Sequence, residues 1–214
     1  EKKSVTGVLS PHAGYVYSGG LAGKLFAGIR IPPTAVILGV NHRGMGRPYA
    51  IDAEREGWET PLGVAPINQE LAAHIRKHCP ELEASRTPFD AEHSMEVQVP
   101  FIQYLSPETS IVPIAVGTFD PAAFRRIALG LAEALKDRKD EVLLVASSDM
   151  THYEAAASAK EKDTQALEAI LRVDAATMLQ RLAEYEISMC GFAPTAIMLD
   201  AAKALGASKT RLVG

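Results

Sequence analysis

A short apolar run from Val5 to Leu9, a helical stretch reaching about Ile29 and a second apolar run from Ala35 to Val40 follow one another at the start of the chain. Strand, helix and strand in that succession form a βαβ unit, the signature of a parallel sheet. Ser110 to Val116 and Val142 to Ala146 read as two more buried strands. Helices are expected from about Asn68 to His78, Pro121 to Lys136, Ala155 to Leu171, Ala175 to Tyr185 and Pro194 to Leu205, with Pro121 in a first turn that tolerates its missing N–H. Tyr49 to Pro66 reads as strands and turns around Trp58 and Gly63. Two further helix starts rest on capping residues. Ser18 or Gly19 is expected to open the first helix, and Asp90 to open one running through Met95 and Val99 to Tyr104, kinked or shortened by Pro100.

The pattern predicts an α/β fold with a mostly parallel or mixed central sheet flanked by helices. Linkers, repeats and low-complexity tracts are lacking, so residues 1–214 read as a single domain. Hydrophobic residues make up 47% of the chain and charged residues 22%, which places it among globular rather than disordered sequences. A net charge of −4 argues against nucleic acid as a partner, because such binding needs a basic face. Two cysteines make no disulfide framework. No secretory leader opens the sequence and no apolar run approaches ~18 residues, so a cytoplasmic protein without membrane contact is expected.

Polar residues of catalytic type fall just after the apolar runs. His12 follows the first strand, His42 the second, and Asp149 with His152 the strand ending at Ala146. In open α/β sheets ligands bind outside the carboxyl ends of the strands, so these positions share a candidate crevice. If the crossover joins adjacent strands, His12 and His42 lie ~5 Å apart at their strand exits and can meet on one cation; a strand inserted between them would double that separation and strain the pairing. The alternative is a pair of loop histidines satisfied by backbone. Cys190 precedes a helix, where N–H groups and the helix dipole lower a thiol pKa; it is a thiolate ligand, a nucleophile or a small buried hydrophobe. Asp149 and His152, three apart on a turn, are expected to pair, the carboxylate fixing the imidazole for acid–base work. His93, at an expected helix N-terminus, should stay neutral and donate a hydrogen bond, while Glu92 favours the dipole there. Tyr15 lines the pocket or packs beside it, and Asn41 adjoins His42. Cys79 is read as structural. Ser147 and Ser148 lack the G-x-S-x-G elbow of a serine hydrolase.

Six segments carry a resemblance: Ser10-Pro11-His12-Ala13-Gly14-Tyr15, Leu38-Gly39-Val40-Asn41-His42, Thr60-Pro61-Leu62-Gly63, Glu92-His93-Ser94-Met95-Glu96, Ser147-Ser148-Asp149-Met150-Thr151-His152 and Met189-Cys190-Gly191. In this order they resemble the Memo family, whose prokaryotic members are called AmmeMemoRadiSam system protein B. The resemblance implies a fold like that of class III extradiol dioxygenases, non-haem iron enzymes that hold Fe(II) with two histidines and a glutamate. It implies metal ligation by His12, His42 and Cys190, the cysteine standing where the dioxygenases have glutamate, with Asp149, His152 and His93 as the remaining catalytic polar residues and Tyr15, Asn41 and Glu92 around the pocket. Compared with the family, the sequence lacks an upstream Gly-Ser-Trp-Tyr-type segment and the final Tyr- and Gly-rich strands. The implied cofactor is a divalent metal, Fe(II) first, with Cu or Zn as alternatives that thiolate ligation also suits. Three functions follow: a metal-dependent oxidoreductase acting on a small-molecule or peptide ligand, a non-catalytic module holding a peptide or anion, or a metal-assisted hydrolase. A homo-oligomer is compatible with each.

Overall fold

The computed structural model describes residues 2–214. In chain order its strands are β1 (Gly7–Ser10), β2 (Thr34–Val40), β3 (Tyr49–Ile51), β4 (Gly57–Thr60), β5 (Gly63–Pro66), β6 (Glu83–Ala84), β7 (Ser110–Val116) and β8 (Val142–Ser147). The helices are α1 (Tyr15–Ala27), α2 (Gln69–His78), α3 (Val99–Leu105), α4 (Pro121–Leu135), α5 (Ala156–Leu171), α6 (Ala175–Glu184) and α7 (Phe192–Ala204). The main sheet runs β1-β8-β2-β7-β3-β6, parallel except where β3 pairs antiparallel with β7, and β4 and β5 form a separate hairpin. This is the expected mixed, mostly parallel α/β architecture.

Strand alternation sends side chains to both faces, and both are covered. On β2, Val36 and Leu38 pack with α2, α4, α5, α6 and α7, whereas Ala35 and Ile37 pack beneath α1 and α3. On β8, Leu144 and Ala146 join the first layer and Leu143 and Val145 the second. Strands buried on both sides need near-continuous apolar runs, which is why β2, β7 and β8 were legible. No helix among the described residues is long and apolar enough to cross a membrane.

Three local expectations are corrected. The first helix starts at Tyr15, capped by Gly14 with no side-chain acceptor; Ser18 lies inside it and donates its hydroxyl to the Ala13 carbonyl. Asp90 opens no helix. It ends a 3-10 turn over Thr87–Phe89, and a second 3-10 turn over Glu96–Gln98 leads into α3. Pro100 thus sits in the first turn of α3, where its missing N–H leaves no carbonyl unpaired. Most consequentially, the adjacency of β1 and β2 on which the ~5 Å separation was conditional does not hold, because the inserted strand is present: β8 lies between them.

That insertion needs close packing where α7 meets β8. A Cβ on Gly191 would lie 2.3 Å from the Ser147 carbonyl oxygen and 2.4 Å from Ser148 Cβ. Backbone on one side and a packed side chain on the other leave little room to yield. Gly191→Ala is therefore expected to destabilise the fold by about 1–3 kcal/mol, the usual range for overpacking. The check is urea unfolding of both proteins followed by circular dichroism; an unchanged midpoint would refute the tight contact.

Candidate functional site

Three parallel strands end side by side and deliver the site. Register places Ser10 opposite Ser147 and Leu38 opposite Ala146, so His12 and His42 leave the sheet on either side of the β8 exit. Two strand spacings separate those exits, about 10 Å. The side chains nevertheless converge over the end of β8, with ring centroids 5.3 Å apart. Room for this comes from the small residues Ser147 and Ser148 at the middle strand's end.

The His12 loop is tied down by Asp149, whose Oδ1 accepts the backbone N–H of His12 at 2.8 Å and of Ala13 at 3.1 Å. His12 is buried. Its tautomer follows from counting protons on Ser147. The Ser147 hydroxyl donates to the Ser94 carbonyl, and Gln98 Nε2 donates to Ser147 Oγ at 2.9 Å. Ser147 has then no proton left to give, so His12 Nδ1, 3.0 Å from Oγ, must be the donor. The Nε2 lone pair is thereby left facing Cys190 Sγ at 3.2 Å.

A different group performs the same office for His42. Glu92 is buried, and its carboxylate accepts the backbone N–H of His42 at 2.7 Å, the backbone N–H of Ser94 at 2.8 Å and His42 Nδ1–H at 2.9 Å. Burial pushes this carboxyl up, but the hydrogen bonds from His42 and Ser94 outweigh it and hold the pKa at about 2. Glu92 is thus ionised at neutral pH and fixes His42 Nδ1 as a donor, the carboxylate–histidine arrangement common behind metal-ligating imidazoles. Its expected role at a helix N-terminus is corrected, since no helix begins there.

Cys190 completes the set: one donor atom each from His12, His42 and Cys190 lies within 4.8 Å of the others. Burial raises the thiol pKa, yet the adjoining His12 and His42 rings and the Asp149 N–H lower it to about 6. The N–H that reaches Sγ, at 3.3 Å, belongs to Asp149, so the lowering comes from the β8 exit and the histidines rather than from the α7 terminus. Hydrogen bonding to Cys190 first, and to Glu92 second, raises His42 to about 9. The ion-free pair is therefore thiolate and imidazolium near neutral pH.

The remaining sequence candidates divide. His93 stacks on His42 at 5.0 Å and meets His12 edge-on at 5.4 Å. Its pKa is lowered, as expected for a neutral donor, but the cause is desolvation and not a helix dipole. Asp149 and His152 do not pair as expected: His152 Nδ1 bonds the Ser188 carbonyl at 2.7 Å, and its backbone N–H donates to Ser188 Oγ at 2.7 Å. Asn41 clamps its own loop through Met45, its Nδ2 donating to the Met45 carbonyl and its Oδ1 accepting the Met45 N–H. Tyr15 packs edge-on against Phe101 and donates to the Val97 carbonyl, half exposed at the rim. Cys79 is fully buried, with its pKa pushed up to about 12 by burial. Ser94, Ser147, Gln98 and Ser188, which orient the imidazoles, were missed as such. Ser147 had a signal in its place at a strand exit; Gln98 had none, because its 3-10 turn is invisible to periodicity.

These values predict one reactive thiol. In protein stripped of metal, iodoacetamide should alkylate Cys190 with a rate that rises with pH to half its plateau near the pKa of about 6, since only the thiolate attacks. Cys79 should stay unmodified in the folded state. Mass spectrometry of each cysteine across pH 5–9 checks this, and a midpoint near the ordinary thiol value would contradict the hydrogen-bond reading.

A family model described as "Memo-like protein" matches residues 1–214. A MEMO1 family protein of Pyrobaculum aerophilum is 41% identical over 203 residues, covering 94% of this chain and 72% of its own length. One from Aquifex aeolicus is 38% identical over 210 residues, covering 98% of this chain and 77% of its own. Among solved structures, an uncharacterized protein of Escherichia coli K12 superposes with a TM-score of 0.55 at 18% identity, over 85% of this chain and 80% of that one, a likeness of fold alone. With the family model matched along its whole length and relatives at this identity, the chain is a member of the Memo-like protein family.

Proposed function

We propose that the chain is a non-haem metal protein in which His12, His42 and Cys190 hold a divalent ion, Fe(II) foremost with Cu or Zn as alternatives, and that it works as an oxidoreductase on a small-molecule or peptide ligand. One observation carries this reading. Both imidazoles have Nδ1 committed to an acceptor behind them, so both Nε2 atoms are free to face the thiolate. His12 Nε2 and Cys190 Sγ, each presenting lone pairs across 3.2 Å, repel unless a proton or a metal ion lies between them. The donor set therefore fits a cation, and its mixture of imidazole and thiolate suits Fe, Cu or Zn.

Three protein ligands leave coordination positions open, the mark of a working rather than a purely structural centre. The ion, when bound, supplies the electron transfer and Lewis acidity that the side chains lack. His93 keeps a neutral ring at the pocket mouth, suited to handing a proton to or from a ligand oxygen. Glu92 makes His42 the more electron-rich donor, and Asp149 holds the His12 loop against the sheet.

Loading is expected to fail in His12→Ala and Cys190→Ala protein, measured by elemental analysis after anaerobic reconstitution. Absence of Fe, Cu and Zn from the wild type under those conditions ends the metal reading. O₂ uptake by the Fe(II) form, with and without catechols, tests the oxidoreductase part; no uptake and no product would leave a centre without that activity.

The protonation states add a second expectation. At pH near 7.5 the thiol is already ionised and His42 still carries its extra proton, so binding an ion should release about one proton. Affinity should then rise roughly tenfold per pH unit between the two pKa values and more steeply below the lower one, because a second proton must leave there. Calorimetry in buffers of different ionisation enthalpy reads the proton count, and a count of zero would contradict the thiolate–imidazolium assignment.

A further inference from the structure

His12, His42 and Cys190 form one group of converging donors; Asp149, His152 and Cys190 form another, their donor atoms also within 4.8 Å of one another. Cys190 is the residue common to both. We propose that Cys190 bridges two cations, the second held by Asp149, His152 and the shared thiolate. This inference rests on the first centre being a metal site.

Each donor of the second group is prepared in the same manner as those of the first. Asp149 spends Oδ1 on the backbone N–H groups of His12 and Ala13, while Oδ2 takes no hydrogen bond from the described residues. His152 gives Nδ1–H to the Ser188 carbonyl, so Nε2 carries the free lone pair. Main chain and ring of His152 are both clamped on Ser188, and the next residue, Tyr153, is held at φ 59°, a left-handed conformation unfavourable for a bulky residue.

The bridge has the lone pairs it needs. A thiolate sulfur has three lone pairs; the Asp149 N–H at 3.3 Å engages one and leaves two. The Cys190 thiolate and the Asp149 carboxylate supply two of the four negative charges that two divalent ions call for and ionised Glu92 behind His42 a third, so a bound hydroxide or anionic ligand completes the balance. His12 Nε2 and Asp149 Oδ2, one donor from each group, stand 3.8 Å apart. A single sulfur that holds two ions at about 2.3 Å each sets them roughly 3.5–4 Å apart, the spacing of known two-metal sites. Thiolate, imidazole and carboxylate together favour a borderline divalent cation of the Fe(II), Co(II) or Zn(II) class.

Co(II) added anaerobically to the full chain is the test, with thiolate-to-metal charge transfer read in the near ultraviolet and Zn(II) counted by elemental analysis. The wild type should bind two ions with thiolate absorption. Asp149→Asn keeps Oδ1 for both backbone bonds and removes only the free carboxylate oxygen; it and His152→Ala should each bind one, with the charge-transfer intensity of the first ion retained. An ion at the His74–His78 pair on α2, whose rings lie 4.9 Å apart, would lack that absorption and is counted separately. Saturation of the wild type at one thiolate-bound ion overturns the bridge, as does loss of that only ion in His152→Ala, which would make His152 a ligand of the first centre. No thiolate-bound ion at all would instead overturn the first centre and the bridge with it.

Discussion

Ser147 has one proton and stands where three demands meet. It closes β8, it gives its proton to the Ser94 carbonyl, and it must accept from both Gln98 and His12. The orientation of His12 therefore depends on how the Glu92–Gln98 segment lies across the sheet end, and that segment in turn depends on Gly39. A Cβ there would come within 2.3 Å of Met95 Cγ and 2.7 Å of Ser94 Oγ, so the strand admits Ser94 and Met95 only because this position is bare. A few small residues at the carboxyl edge thus set the geometry of His12. The apolar interior beneath supplies rigidity but no direction.

The fold was largely legible in the sequence because burial on both faces of a parallel sheet demands apolar runs, and β2, β7 and β8 have them. Strand order was not. The first βαβ unit suggests neighbours, yet β8, from more than a hundred residues downstream, is inserted between β1 and β2. Nothing local encodes that choice. The convergence of His12 and His42 was nevertheless anticipated, through a premise that the structure replaces: the rings meet by leaning over a strand that ends in serines, not by leaving adjacent strands.

The site was legible in the same uneven way. Positions just after apolar runs marked His12, His42, Asp149 and His152, since strand exits are recognisable. What the sequence alone misassigned were partnerships. Asp149 and His152 are close in sequence, but Asp149 serves the backbone of the His12 loop and His152 is held by Ser188, each partner far along the chain. Glu92 looked like a residue placed for a helix dipole, and the structure makes it the buried acceptor behind His42. Long-range pairing of this kind has no period and no motif.

The two histidines at the centre differ in what stands behind them, and the difference has chemical weight. A neutral hydroxyl behind His12 leaves an ordinary imidazole donor, whereas an ionised carboxylate behind His42 pushes electron density to Nε2. Burying that carboxylate would be costly if it were unpaired, and its three hydrogen bonds, two from backbone, offset the cost. Changing either backing group would therefore alter the electronic character of the pocket and also disturb its loops, because Glu92 holds two backbone N–H groups and Ser147 donates to the Ser94 carbonyl. The fold thus separates the converging donor atoms of His12, His42 and Cys190 from the groups that orient the two imidazoles, Ser147 and Glu92.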